Sequence, residues 1–336
     1  MKNLLYIGNK LSSSRTTVTS IETLGFLLEN EGYRIYYASS QRNKILRLSE
    51  MLWATFRYSY KIDYVLIDTY STYNFWYAFL VSQLCRILNI KYIPKLHGGD
   101  LPNRLRKNPL LCSMIFKNAY KNIAPSDYLL EAFQNRGYSD LVYIPNTIEI
   151  QNYPFKTREV IRPKLLWVRS LSSIYNPEMA LQVLDGLKKH IPSPELCMVG
   201  PDKDGKQAKL QQIGSDLDLN VVFTGKLAKT DWVNLSEQYD IFINTTHFDN
   251  TPVSVIEAMA LGLPVISTNV GGIPYLLKNG KTAMLVDDND AEAMVEAIMK
   301  IINNSELKDD LVRNALELVR NFDWNLVKCK WHEILI

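Results

Sequence analysis

Short apolar runs rich in β-branched and aromatic residues alternate with longer amphipathic runs along most of the chain. In the first half the short runs, 4–8, 34–38, 64–68, 92–96, 122–125 and 142–145, read as strands. Apolar positions spaced by three and four predict helices at 18–30, 45–58, 73–88, 109–118 and 128–136. The alternation breaks at 149–163, a polar stretch carrying Pro154 and Pro163 that reads as a linker. It resumes with strands at 165–169, 196–200, 221–225, 241–244, 265–267 and 284–286. Helices fit at 177–189, 205–217, 229–238, 253–261, 290–303 and 306–320, and 324–335 reads as one more. This rhythm predicts an α/β protein of two doubly wound lobes, each a parallel sheet with helices on both faces, with a cleft between them. Ligands of such sheets bind beyond the carboxyl ends of the strands, so chemistry is sought just after each strand.

Composition changes this picture little. The 336 residues, 47% hydrophobic and 22% charged, suit two globular domains. Cys85, Cys112, Cys197 and Cys329 are scattered, without metal or disulfide spacing, and read as reduced, mostly core residues of a cytoplasmic protein. The apolar run at the N-terminus is too short for a signal peptide, and 75–88 is too short and too interrupted to span a bilayer. Any membrane contact is therefore expected to be peripheral. Charge is uneven: residues 1–160 hold 20 Lys/Arg and 12 Asp/Glu, and residues 161–336 hold 18 and 23. A basic first half suits a phosphate-bearing acceptor or the anionic inner face of a cell membrane, and equally a chance imbalance on a solvated surface. Nucleic acid is not expected, because no basic stripe with interleaved aromatics stands out. The aromatics Trp53, Tyr58, Tyr60, Tyr70, Tyr73, Trp76 and Tyr77 read mostly as core, the alternative being sugar stacking or a membrane surface.

The segment 248–265 is the most informative. Thr251 is placed to cap a helix and Pro252 to occupy its first turn, so free amides would face a phosphate. Asp249 and Glu257 sit awkwardly beside a phosphate unless they bind sugar and ribose hydroxyls; simple capping, with Glu257 in a salt bridge, is the plainer alternative. Arg169 follows the buried run 165–168 at the carboxyl end of a strand, where a planar permanent cation suits a diphosphate or an interdomain salt bridge. His97-Gly98-Gly99-Asp100 also follows a strand. His97 reads as a partner for a sugar hydroxyl or as a structural histidine, with Gly98 and Asp100 on the acceptor side. The first turn, Gly8 to Arg15, lacks Gly-x-Gly-x-x-Gly, which argues against an NAD-linked oxidoreductase. Its Gly8, Ser13 and Arg15 would meet the diphosphate or the acceptor, unless the turn is a plain loop. Ser126 and Asp127 read best as the start of a helix.

Several motifs together resemble the GT-B fold glycosyltransferases of family 4. They are Asp249 and Glu257 eight apart, Glu257-Ala258-Met259-Ala260-Leu261-Gly262-Leu263-Pro264-Val265, Val270-Gly271-Gly272-Ile273-Pro274, Val222-Phe223-Thr224-Gly225 and Pro145-Asn146-Thr147. The resemblance implies two Rossmann-like lobes: an acceptor-side lobe at 1–158, a nucleotide-sugar lobe at 159–320, and a helix at 321–336 that crosses back to the first. It implies a nucleotide-sugar donor, a saccharide or lipid-linked acceptor, no cofactor, and a retaining, metal-independent hexosyl transfer in surface polysaccharide or related glycan synthesis. Glu257 would hold the donor ribose and Asp249 would lie near the donor sugar. Asn250, Thr251, Pro252 and the amides of Val253 and Ser254 would line the donor site. Lys226 would lie near the base, Arg169 would bind the diphosphate, and His97 would lie near the sugar.

Three departures stand out. Ile174-Tyr175-Asn176 occupies the place of a Lys that would complete a cationic pair with Arg169, Asp249 replaces the usual Glu, and Tyr275 stands where Glu is common. They leave open a catalytically weak glycan- or nucleotide-sugar-binding subunit. A nucleotide-sugar epimerase on the same fold is the other rival, with Asp100 its one obvious first-lobe acid. The Asp-x-Asp triplets at Asp202/Asp204, Asp216/Asp218 and Asp288/Asp290 read as solvated loop or helix-end charges, so no metal site is expected.

Overall fold

The computed structural model describes residues 2–11 and 19–336. Two compact units result, one of Met1–Pro145 with Val327–Ile336 and one of Asn146–Leu326. Residues 146–158, expected in the first lobe, belong to the second. Ile148 and Tyr153 are buried in its core. Arg158, only 6% exposed, donates to the carbonyls of Tyr239 (2.9 Å), Leu261 (3.0 Å) and Ser236 (3.1 Å). A polar composition thus marks a tightly bound segment, because a buried guanidinium is satisfied by backbone carbonyls.

The first unit holds β1 (Asn3–Ile7), β2 (Arg34–Ala38), β3 (Tyr64–Thr69), β4 (Lys91–Leu96), β5 (Asn122–Ala124) and β6 (Leu141–Tyr143). They form one parallel sheet in the order β2-β1-β3-β4-β5-β6, with Leu4 paired to Ile35 and to Tyr64. Every residue of β3 is buried, as expected of a central parallel strand covered on both faces. Leu5, Ile7, Val65 and Ile67 share a core with the helices Lys44–Tyr58, Asn74–Ile87, Pro109–Phe116 and Asp127–Gln134. The chain leaves β1 toward β2 and β3 toward β4, on opposite sides, so the sheet's switch point lies beyond the ends of β1 and β3. The last segment completes this unit. Trp331 is 1% exposed, Tyr64 Oη donates to the carbonyl of Ile336 (2.8 Å), and Lys328 pairs with Glu31 (3.0 Å).

The second unit holds β7 (Lys164–Val168), β8 (Glu195–Val199), β9 (Val221–Gly225), β10 (Ile241–Asn244), β11 (Val265–Thr268) and β12 (Met284–Val286). Their order, β12-β11-β10-β7-β8-β9, is again parallel, with the switch point beyond β7 and β10. Alternate residues of β7 serve opposite cores: Leu166 faces one, Leu165 and Trp167 the other.

Surface burial corrects the reading of the aromatics. Tyr77 is buried as expected, but Trp53, Tyr60, Tyr73 and Trp76 are exposed. Cys329 is likewise exposed, and the other three cysteines are buried. Among the described residues, no helix is long and apolar enough to cross a membrane.

Candidate functional site

In the second unit the loops after β7, β10 and β11 are stitched together at the switch point. Thr245 Oγ1 donates to the carbonyl of Asn176 (2.8 Å), Thr246 Oγ1 to that of Ile174 (3.1 Å), and Thr268 Oγ1 to that of Thr246 (2.6 Å). The Gly272 amide donates to the carbonyl of Asp249 (2.9 Å). A Cβ on Gly271 would stand 2.3 Å from the Asp249 carbonyl oxygen, and one on Gly272 2.2 Å from that of Asn250. Only glycine permits this approach, which accounts for the paired glycines.

These loops bring Arg169 and Asp249 together. Arg169 Nη2 donates to Asp249 Oδ2 at 2.5 Å, with both side chains mostly buried. The guanidinium lies 4.9 Å from the ring centroid of Tyr175, whose hydroxyl burial keeps protonated. An aromatic ring therefore fills the place expected for a second cation. Arg169 Nε is buried without a hydrogen-bond acceptor, as is Ser254 Oγ with respect to any partner. The pre-oriented guanidinium thus keeps an unpartnered N–H, and Ser254 Oγ is unpartnered at the start of the helix after β10; an oxygen-rich ligand would satisfy such groups.

The helix after β10 is Val253–Ala260, and its cap is Pro252, not Thr251; no side chain caps it. Thr251 is itself buried, its carbonyl accepting from Asn146 Nδ2 (3.2 Å). The first intrahelical bond runs from the Val255 amide to the Pro252 carbonyl (3.1 Å), so the amides of Val253 and Ser254 precede it. Asn250 lies buried beside Asp249, whose Oδ1 accepts from the Asn250 amide (2.7 Å). Glu257 is 3% exposed, and its Oε1 accepts from Tyr153 Oη (2.8 Å) and from Lys229 Nζ. Burial and the adjacent carboxylate both hold the Tyr153 hydroxyl protonated, as a donor. Lys226 stands half-buried just past β9, and the cation that meets Glu257 is Lys229.

In the first unit, His97 follows β4 and is 9% exposed. Its Nε2 lies 2.7 Å from Asp68 Oδ1, which also accepts from Tyr6 Oη (3.0 Å), and its ring stacks on Tyr70 at 4.7 Å. An ionised carboxylate only accepts, so Nε2 carries the hydrogen and Nδ1 is left as the ring's acceptor. Burial lowers the His97 pKa against the opposing pull of Asp68, which keeps the ring neutral. Lys95, also buried, donates to Ser20 Oγ (2.6 Å), and burial lowers its pKa too. Gly8 sits at this switch point, where a Cβ would stand 2.8 Å from Asp68 Oδ2. Gly98 has a positive φ of 74° with open space around its Cα, and Asp100 precedes the Leu101–Lys107 helix without capping it by its side chain. Ser13 and Arg15 lie outside the described residues. Ser126 caps the Asp127–Gln134 helix, as expected.

Sequence reasoning passed over Asp68, Tyr6, Tyr153 and Lys229. Asp68 carried a usable signal, a carboxylate at the end of an apolar strand. The other three carried none, because their partners lie 62, 104 and 28 residues away. The Asp-x-Asp triplets have structural work. Asp202 accepts from the Lys206 amide (2.8 Å) and Asp290 from the Ala293 amide (2.8 Å). Asp204 accepts from the Ser173 amide (3.0 Å) and from Ser172 Oγ (2.7 Å), bonds that lower its pKa. Among the described residues, no three His, Cys, Asp or Glu side chains cluster as a metal site.

The family described as "Glycosyl transferases group 1" matches residues 150–318. The sulfoquinovosyl transferase of Arabidopsis thaliana is 26% identical over 157 residues, 46% of this chain, and the chain spans only 30% of that relative's length. Among solved structures, Anabaena HepE, in complex with UDP and glucose, superposes with a TM-score of 0.77 at 18% identity, covering 100% of this chain and 99% of that one. Sucrose-phosphate synthase from Thermosynechococcus elongatus gives 0.81 at 17% identity, covering 99% and 98%.

Proposed function

The chain belongs to the glycosyl transferases group 1 family, with the GT-B fold, and from that premise we propose that it moves a hexose-type sugar from a nucleoside diphosphate sugar to a saccharide or lipid-linked acceptor. The observation that carries this reading is the Arg169–Asp249 pair at the switch point of the second sheet, with Asp249 in the loop that leads into the open amides of Val253 and Ser254 at the start of the next helix. A diphosphate gains charge as its bond to the sugar breaks. A fixed guanidinium and helix amides aimed at it stabilise that state more than the bound donor. Asp249, released from part of its ion pair by the incoming phosphate, is suited to accept from sugar hydroxyls. Glu257, held from below by Tyr153, is suited to the two ribose hydroxyls, with Lys229 giving way at the exposed side.

In this reading the acceptor hydroxyl attacks the anomeric carbon on the face from which the diphosphate leaves, and the leaving phosphate takes its proton. Anomeric configuration is retained, and no strong base is required. Arg169 neutralises the leaving group, so no metal is called for. His97, with Nδ1 as an acceptor, is suited to a sugar hydroxyl, and the process served is surface polysaccharide or related glycan synthesis. One observation favours a weaker rival, a binding subunit of low turnover: the ring of Tyr175 stands where a second cation would assist the diphosphate.

The test is thermal stabilisation of the protein by UDP-, GDP-, ADP- and CMP-sugars, with and without EDTA, followed by a turnover assay. A donor at a hundred times its Kd adds about 2.7 kcal/mol of stability. One nucleotide class should raise the Tm, with EDTA making no difference and Glu257→Gln reducing the shift. No shift in any class would refute the donor site. A shift without turnover toward any acceptor would favour the binding subunit.

A further inference from the structure

The first unit carries a second apolar face that its core does not use. On the Lys44–Tyr58 helix, Met51, Ala54 and Thr55 are buried, yet Ile45, Leu46, Trp53 and Phe56 are 75, 56, 56 and 64% exposed. Tyr60, just past that helix, is 77% exposed. The neighbouring Asn74–Ile87 helix repeats the pattern: Phe75, Ala78 and Val81 are buried while Trp76, Leu80 and Ile87 are exposed. Leu46, Trp53 and Phe56 are spaced by about seven and three with Ile45 about eleven before Phe56, and Trp76, Leu80 and Ile87 by about four and seven, which places each outward set on one stripe. The helices adjoin, since Tyr77 Oη donates to the Lys44 carbonyl (3.2 Å) and Lys44 Nζ lies 4.0 Å from the Tyr73 ring. An apolar surface of this extent marks an interaction site.

Charge says with what. Arg57 lies 4.7 Å from the Trp53 ring and Lys61 5.2 Å from the Tyr60 ring, and Arg42, Lys44 and Arg86 are exposed nearby in sequence. The two helices hold a single carboxylate, Glu50, one oxygen of which is buried. Tryptophan and tyrosine favour the headgroup level of a bilayer, aliphatic side chains sit deeper, and Lys and Arg reach lipid phosphates. Self-association about a two-fold axis would set these cations against their own copies, which like-charge repulsion opposes.

We propose that the outer face of the Lys44–Tyr58 and Asn74–Ile87 helices is a docking surface for an anionic lipid bilayer. Helices of 15 and 14 residues lying in the interface plane bury their outer stripes while the rest of the unit stays outside the bilayer. This rests on surface composition alone and holds or falls independently of the transferase reading.

The experiment is flotation of the full chain with phosphatidylcholine vesicles, with and without phosphatidylglycerol, monitored also by tryptophan fluorescence. Binding should require phosphatidylglycerol, weaken with salt, and shift tryptophan emission to the blue. Neutralising Arg57 and Lys61 (Arg57→Gln, Lys61→Gln) should lower partitioning about fivefold per charge. Trp53→Ser with Phe56→Ser should lower it about tenfold or more. Lys189→Gln, at an exposed cation of the second unit, should change nothing. All these residues are exposed, so the variants should fold. No binding, equal binding to both lipids, or variants that bind like the parent would each overturn the proposal. So would a dimer, seen by light scattering, that the Trp53/Phe56 variant abolishes, since the face would then join two copies.

Discussion

Asp68 is the joint of the first unit's buried polar cluster, and replacing it separates two effects. Its carboxylate, in a residue 5% exposed, accepts from His97 Nε2 at 2.7 Å and from Tyr6 Oη at 3.0 Å. In Asp68→Ala both donors lose that acceptor, at about 1–3 kcal/mol each. Tyr6 keeps a weak alternative in Ser20 Oγ at 3.4 Å, so the expected loss is nearer about 2–4 kcal/mol in total. Asp68→Asn keeps an acceptor but not the charge, and should cost about 1–2 kcal/mol. The pH dependence follows from the same contacts. Burial lowers the His97 pKa while Asp68 raises it, so the asparagine variant should titrate lower still. A histidine neutral in the folded state and protonated when unfolded contributes stability above its unfolded pKa of about 6.5, and that stability is lost as the pH falls from there toward the folded pKa. Urea unfolding at neutral and mildly acidic pH measures the stability, and nitrogen-15 shifts of the His97 ring give its tautomer and titration. An asparagine variant as stable as the parent, with His97 titrating at the parent pH or above, would refute the account.

Arg169→Ala should lower kcat by about a hundred- to a thousandfold, the usual effect of losing one charge-stabilising donor, while the circular dichroism spectrum is retained; steady-state rates with the donor class found by thermal shift check this, and unchanged turnover would remove Arg169 from the chemistry. Gly200→Ala should be among the most damaging small substitutions. Its Cβ would stand 1.7 Å from the Arg169 carbonyl oxygen at a φ of 151°, so a loss of about 3 kcal/mol or more is expected in denaturant titration. Gly205→Ala is the control: its φ is also positive, but the space is open, and only about 1–2 kcal/mol should be lost.

Elements set by local pattern were legible in the sequence. Strand β3 reads directly from 64–68 because a central parallel strand is apolar on both faces, whereas the close backbone approach at Gly271 and Gly272 is visible only once Asp249 and Asn250 are in place. The ends of elements were less legible. Thr251 has the chemistry of a cap, yet it is drawn into burial against Asn146, and Pro252 takes the position with no side chain to offer. Polar composition misled at 149–163, because a buried arginine satisfied by carbonyls looks from sequence like a solvated one. Amphipathic spacing misled at Trp53 and Trp76, since a helix with two apolar stripes gives no sign of which one the core takes. The partners of Glu257 and His97 come from distant strands and loops, and only the sheet order brings them within reach.

The contribution of Val327–Ile336 to the first unit bears on how the protein is made. Translation delivers 1–145 first, but the unit they form is complete only with buried Trp331 and the pairing of Lys328 with Glu31. The intervening residues, 146–326, form the other unit, and at about 5–20 residues per second they occupy a ribosome for roughly 10–40 s. For that interval the earlier-born half is exposed to chaperones and proteases in an unfinished state while the later-born half is able to close first. Truncation by a premature stop near 326 would therefore be felt in residues 1–145, far back along the chain, although they were synthesised intact.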